Sequence, residues 1–262
     1  MGLLEGKRAL IVGVGNQRSI AWGIATCFQR EGAQLAFTYL NDRFKDNVTK
    51  LVDTLPGHES MPVLLCDAAK PDDVAALVQE VDRRWGGLDI LVHSIAFAPV
   101  DDLKGRFHEI SRDGVLMAVE ISAYTLVSLS RAVLPLFTKA GGGSVMTLTY
   151  NAVERVVPSY NSMAIAKAAL ETCVRYLAVD LGPSNVRVNA ISAGPLKTLS
   201  ASAVKGISTA RDLMEAKAPL RRNITQEEVG NVAVFLASEM SRSVTGDTIY
   251  ADNGVNIVGV TD

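Results

Sequence analysis

The sequence predicts an α/β fold: a single domain in which helices flank both faces of a doubly wound parallel sheet. Three observations predict it. Short apolar, β-branched runs alternate with longer helix-patterned segments along almost all of the 262 residues. The first strand candidate, Arg8–Val12, is apolar without alternation, the pattern of a strand covered on both faces. The segments between them are long enough for helices, and strands joined through helices pair in parallel with right-handed crossovers.

Arg8–Val12 (RALIV) is the first strand. Residues 20–31 form the helix after it, with Gly32 just past the C-terminus, where a left-handed backbone is favoured. Gln34–Tyr39 (QLAFTY) is the second strand, and residues 44–54 a polar helix. Residues 62–66 (PVLLC) are the third strand. Pro71, whose fixed φ suits a first turn, opens a helix that runs to Trp85. Residues 88–94 (LDILVHS) are the fourth strand. Helix, strand and helix then recur over 112–138, Gly143–Thr149 and 162–181, and residues 186–191 (VRVNAI) are the sixth strand. Thr225 and Glu228 have the spacing of a capping box, in which each side chain satisfies the other's backbone N–H, and they open a helix to about Ala237. Thr248–Ala251 is a last short strand. No linker, repeat or low-complexity tract breaks the series, so residues 1–262 read as one Rossmann-like domain. Residues 196–217 stand apart as small, polar and weakly patterned, the character of a mobile lid.

Hydrophobic residues make up 48% and charged ones 21%, with a formal net charge of −2. That is a globular composition with no global field drawing the chain to nucleic acid or to an anionic membrane. Cys27, Cys66 and Cys173 lie far apart, and His58, His93 and His108 have no ligand-like grouping, so neither disulfide nor metal is expected. The N-terminus lacks the pattern of a signal peptide, and no segment comes near the ~20 apolar residues that span a bilayer. A cytoplasmic location is expected.

In an open parallel sheet, ligands bind beyond the carboxyl ends of the strands where strand order reverses. The first strand runs into Gly13-Val14-Gly15-Asn16-Gln17-Arg18-Ser19-Ile20-Ala21. Gly13 and Gly15 permit a tight turn and close approach to a pyrophosphate, and the helix N-terminus near Ser19 offers free N–H groups. Arg18 stands where G-x-G-x-x-G has its third glycine, so the turn fits a phosphate cradle and an ordinary loop about equally. After the second strand, a NAD site carries an acidic residue for the adenosine ribose and a NADP site a basic one. Tyr39-Leu40-Asn41-Asp42-Arg43 has no base at position 40 or 41, which leans to NADH, while Arg43 keeps NADPH open. Asp67, beside Ala68 after the third strand, either borders the adenine or caps the next helix.

Tyr160 and Lys167 are seven residues apart, so on one helix they share a face about two turns, or ~10 Å, from each other. Exposed Tyr–Lys pairs on helices are commonly incidental. This one follows the carboxyl end of the fifth strand, where the cofactor crevice must lie.

These residues together resemble the short-chain dehydrogenase/reductase superfamily and, within it, the enoyl-acyl-carrier-protein reductases of bacterial fatty acid synthesis. The resemblance runs through Gly13, Ser19, Ile20 and Ala21, and through His93-Ser94-Ile95-Ala96-Phe97-Ala98-Pro99. It continues through Tyr150, Tyr160 and Lys167, then Asn189-Ala190-Ile191-Ser192-Ala193-Gly194-Pro195 and Thr198. Ordinary superfamily members place the lysine four residues after the tyrosine, where this chain has Ala164. They also carry Asn-Asn-Ala-Gly where it has Ser94-Ile95-Ala96-Phe97. Leu40, Ala96 and Asp252-Asn253-Gly254 depart from the enoyl reductase pattern.

The resemblance implies reduction of the 2,3 double bond of trans-2-enoyl thioesters carried by acyl carrier protein, with NADH favoured over NADPH, in a homotetramer. It implies that Tyr160 stabilises the enolate through the thioester carbonyl, that Lys167 holds the nicotinamide ribose and favours phenolate character at Tyr160, and that Tyr150 lies near the substrate. The positions matching dinucleotide contacts are Gly13, Ser19, Ile20, Leu40, Asp67, Ala68, Ile95, Lys167, Leu196, Lys197, Thr198, Leu199 and Ser200. Ala98 and Met163 match the acyl site beside Tyr150 and Tyr160, and residues 196–217 match a lid. The final proton comes from Tyr160 or from a water chain. The seven-residue spacing suits this chemistry, because in conjugate reduction the hydride lands two carbons from the carbonyl carbon and the stabilising hydroxyl sits further off. Two rivals stand beside this reading. One is a carbonyl reductase, which a lysine at 164 would have favoured. The other is a dinucleotide-binding regulatory protein without catalysis.

Overall fold

The strands β1 (Arg8–Val12), β2 (Gln34–Tyr39), β3 (Val63–Leu65), β4 (Ile90–His93), β5 (Gly143–Thr149), β6 (Val186–Ala193) and β7 (Thr248–Ala251) form one sheet. In the computed structural model, which describes residues 2–198, 212 and 214–259, their order is β3-β2-β1-β4-β5-β6-β7. Every neighbouring pair is parallel.

Alternate residues of each strand feed opposite cores, as the two-residue period requires. Ile11, Val92 and Met146 pack with α1 (Ile20–Arg30), α2 (Asp42–Val52) and α7 (Gln226–Ala237). Leu10, Leu91 and Val145 pack with α3 (Pro71–Trp85), α5 (Thr125–Ala140) and α6 (Asn161–Leu181). Burial on both faces is the reason β1 reads as an unbroken apolar run.

The sequence-predicted ends differ from the structure where caps or pairing decide them. The second helix starts at Asp42, two residues before the predicted 44, because the Asn41 side chain accepts from Arg43 N–H at 3.2 Å. β6 continues past 191 to Ala193 because Ser192 and Ala193 pair with Tyr250 and Ala251 of β7. The capping box forms as predicted: Thr225 Oγ1 accepts from Glu228 N–H at 3.2 Å, and Thr225 N–H donates to Glu228 Oε2 at 2.8 Å.

The predicted helix 112–138 is interrupted. α4 (Arg112–Val119) runs into a π-helical turn, Glu120–Tyr124, before α5 begins. Contrary to the sequence reading, the combined run Arg112–Ala140 is long and apolar enough to cross a membrane by length and composition. Its apolar stripe, including Leu126, Leu129, Val133 and Phe137, packs on the sheet as a core helix does.

Candidate active site

Strand order reverses between β1 and β4, so the crevice opens beyond their carboxyl ends. Gly13 leaves β1 with φ +102°, and a β-carbon there would collide with the carbonyl oxygen of Ser94, which follows β4. A glycine is what lets the two strand exits close on each other at the switch point. Ser19 caps α1: its hydroxyl accepts from Trp22 N–H at 3.3 Å and donates to the Asn16 carbonyl at 2.7 Å. The N–H groups of Ile20 and Ala21 are left without intrahelical acceptors at the positive end of the helix. This backbone fits a diphosphate, which needs a close-approaching turn and free N–H donors. Beside it lies a cavity of about 310 Å³ whose lining includes Arg18, Leu196 and Lys197.

The other positions implied for the dinucleotide line up along the same strand ends. Leu40 follows β2 and is exposed, Asp67 and Ala68 follow β3, Ile95 follows β4, and Leu196, Lys197 and Thr198 follow β6. Asp67 does not cap α3, whose N-cap is Lys70; its Oδ1 instead accepts from Ala69 N–H at 3.1 Å in a turn before the helix. Leu199, Ser200 and most of 196–217 lie outside the described residues.

Tyr150 follows β5 directly, and its ring centroid lies 5.2 Å from that of Tyr160. Tyr160 is not inside the helix with Lys167, as its spacing suggested; it is the N-cap of α6, at φ −117° and ψ 0°. Its carbonyl accepts from Ala164 N–H at 2.8 Å, which still fixes its direction relative to the helix. Ala98 and Met163 are buried in a small cluster against which Tyr160 packs, so three of the implied substrate positions share one apolar wall.

Lys167 is 5% exposed, and its Nζ donates to the Leu148 carbonyl at 2.7 Å. Burial lowers its ammonium to about 8, against the opposing pull of Glu171 one helical turn on. Burial also pushes the Glu171 carboxyl up, while Thr149 Oγ1 donates to it at 2.7 Å. Tyr160 lies above the ordinary phenol range through burial first and Tyr150 second. Tyr150 is raised by burial and then by Asp252. The phenolate character expected at Tyr160 from Lys167 is not found: burial and Tyr150 both raise the phenol, which keeps it a hydrogen-bond donor.

His93, given no role by the sequence beyond its place in the resemblance, and Ser122, not singled out at all, tie the site together. His93 ends β4, fully buried, with Nδ1 2.8 Å from Thr147 Oγ1 and Nε2 2.8 Å from Thr125 Oγ1. Thr125 also donates to the Ile121 carbonyl in the π turn at 2.6 Å, and Thr147 to the His93 carbonyl at 3.2 Å, so both hydroxyls bridge the imidazole to backbone. Burial holds this imidazole neutral, down to about 3. Ser122, buried in the same π turn, accepts from Phe97 N–H at 3.0 Å and donates to the Phe97 carbonyl at 3.2 Å. It thereby clamps the loop that carries Ile95 and Ala98. A serine inside a helix-patterned stretch carries no local signal of this.

A parallel sheet in this order, with a glycine-bearing turn after β1 and a Tyr–Lys pair after β5, defines an oxidoreductase of the short-chain dehydrogenase/reductase type. Residues 13–256 match the family model described as enoyl-(acyl carrier protein) reductase. Enoyl-[acyl-carrier-protein] reductase [NADH] FabI of Bacillus cereus is 49% identical, over 99% of this chain and 100% of that protein. The protein of the same name from Aquifex aeolicus is 48% identical, over 99% of this chain and 95% of its own length. The solved Bacillus cereus enoyl-acyl carrier protein reductase with NADP+ and indole naphthyridinone superposes with TM-score 0.96 at 48% identity, over 99% of this chain and 100% of that one. The Anaplasma phagocytophilum enzyme in complex with NAD superposes with TM-score 0.94 at 40% identity, over 100% and 98%. The chain belongs to the enoyl-acyl-carrier-protein reductase family.

Proposed function

We propose that the chain reduces the 2,3 double bond of trans-2-enoyl thioesters on acyl carrier protein with NADH, the last reduction of fatty acid elongation. The observation that supports this is the Tyr150–Tyr160 ring pair after β5, with Lys167 of α6 bonded to the Leu148 carbonyl near the end of the same strand, in a sheet whose β1 also ends in the Gly13 turn. Bound NADH supplies the hydride. Tyr160, kept protonated by burial, donates to the thioester carbonyl and strengthens that bond as charge moves onto the oxygen, an effect of about 3 kcal/mol for one such donor. Tyr150 supports its ring, and Ala98 and Met163 wall the acyl group away from water. Lys167 exchanges the Leu148 carbonyl for the nicotinamide ribose hydroxyls. Gly13, Ser19 and Ile20 hold the diphosphate, Leu40, Asp67 and Ala68 the adenosine half, and Ile95 with Leu196, Lys197 and Thr198 the nicotinamide half. The final proton is delivered by Tyr160 or through water.

The whole chain acts as one domain, with 196–217 covering the bound ligands, in a cytoplasmic homotetramer. The exposed apolar side chains of Leu116, Met117 and Tyr124, with Tyr176 and Val179 of α6, support assembly through these helices. NADH oxidation followed by absorbance tests the reading, with crotonyl and acetoacetyl thioesters, for the natural chain and Tyr160→Phe. Turnover of the crotonyl but not the keto substrate, strongly reduced in Tyr160→Phe, is expected. Turnover of the keto substrate alone would make the chain a carbonyl reductase, and turnover of neither a binding protein. NADPH in parallel fixes the cofactor preference.

A further inference from the structure

The first residue of α7 reaches across to the turn that leads into α1. Gln226 Nε2 donates to the Ser19 carbonyl at 2.6 Å and lies 3.3 Å from the Gln17 carbonyl. A β-carbon on Gly23 would come within 2.7 Å of Gln226 Cβ, so the two helices meet closely at this point. The seam is tied again by Arg30, which donates to Glu227 at 2.8 Å and to Asn231 at 2.7 Å. The start of α7 is itself fixed by its capping box and by the Arg222–Glu228 ion pair at 2.6 Å. Gln226 also lines the cavity of about 310 Å³, together with Arg18 and Lys197.

A glycine-bearing turn has many conformations to lose when it closes on an anion, and fixing it beforehand lowers the cost of binding. Inside the turn, Asn16 already engages the N–H groups of Arg18 and Ser19. Gln226 adds a tie from outside: its amide joins the Trp22 and Gly23 N–H groups, 3.1 and 3.3 Å away, on the Ser19 carbonyl, and also faces the Gln17 carbonyl. We propose that Gln226 is a positioning residue for the dinucleotide diphosphate. It pins the 16–19 turn so that the Ile20 and Ala21 N–H groups, Arg18 and Lys197 converge on the anion. The proposal rests on the dinucleotide use argued above.

The test compares the natural chain with Gln226→Leu and Gln226→Glu. Dissociation constants are measured for NADH, by enhancement of its fluorescence, and for ADP and adenosine as competitors. Losing the donor is expected to weaken NADH and ADP about tenfold, with a larger loss for the carboxylate, which repels both carbonyls and the diphosphate. Adenosine, which has no phosphate, keeps its affinity. KM for NADH rises while kcat at saturating NADH and KM for crotonyl thioester stay within about twofold. A merely structural role would lower the melting temperature and weaken ADP and adenosine alike. Unchanged NADH and ADP binding in folded Gln226→Leu, or equal losses for ADP and adenosine, overturns the proposal. Gln226→Met, of similar length, serves the same comparison if the leucine variant misfolds. A natural chain that binds no NADH would instead overturn the dinucleotide reading itself.

Discussion

Lys167 should make the unliganded protein less stable than it would be without a charge there. The side chain is almost fully buried, and its ammonium lies at about 8, against 10.5 for an ordinary lysine. Between those two values the unfolded chain holds a proton that the folded chain has released, so stability rises as pH climbs through this window. Below about pH 8 both states are protonated, and the folded one carries the full cost of the buried charge. At 1.36 kcal/mol per pH unit, that cost is roughly 3 kcal/mol. Lys167→Met removes it and forfeits the charged bond to the Leu148 carbonyl, about 2 kcal/mol. The net gain at pH 7 is about 1 kcal/mol, a rise of roughly 2–4 °C in melting temperature for a chain of this size. Thermal unfolding by circular dichroism, without cofactor, at pH 7 and pH 10.5 checks it. The variant should melt higher at pH 7, and the gap should close or reverse at pH 10.5. A variant that melts lower at pH 7, or a gap independent of pH, would refute the reasoning. The same variant should lose NADH binding, so stability and function pull in opposite directions at this residue.

Other consequences follow from the same geometry. Loss of the Lys167 proton should weaken NADH, so kcat/KM for NADH declines as pH rises through about 8, and a flat profile to pH 10 would count against the assignment. Tyr160→Phe should lower kcat about 10²–10³-fold with little change in KM for NADH, read in steady-state assays. Because the Tyr160 phenol stays protonated well past neutrality, that variant should keep the same alkaline limb. Gly13→Ala forces a side chain into a positive-φ position against the Ser94 carbonyl; a loss of about 2–4 kcal/mol by denaturant unfolding and a much weaker NADH complex are expected. Ser122→Ala frees both polar groups of the Phe97 backbone, at about 1–3 kcal/mol, and should raise KM for crotonyl thioester more than KM for NADH.

Much of this molecule is written locally. The limits of β1, β5, β7 and α3 can be read straight from apolar runs, turn residues and a proline at a first helical position. So can the capping box that opens α7. Gly13 could be picked out because it lies just past the end of β1, and the Tyr160–Lys167 pair because its seven-residue spacing falls on the segment after β5, where a parallel sheet must open its crevice. The π turn could not be read. The helical pattern passes through 120–124 unbroken, and the partners of the residues in and beside the turn, Phe97 for Ser122 and His93 for Thr125, lie far off in the sequence. The same holds for His93, set between Thr125 and Thr147 by sheet register, and for Ser122, clamped to a backbone 25 residues away. Gln226 meets Ser19 across 207 residues of chain. The lowered Lys167 ammonium depends on how completely the crossover helices exclude water. Propensity, period and capping act over a few residues, so the sequence alone determined the elements and the family pattern. Burial, register and the pairing of buried polar groups act across the fold, and only the tertiary structure decided how the site is held and charged.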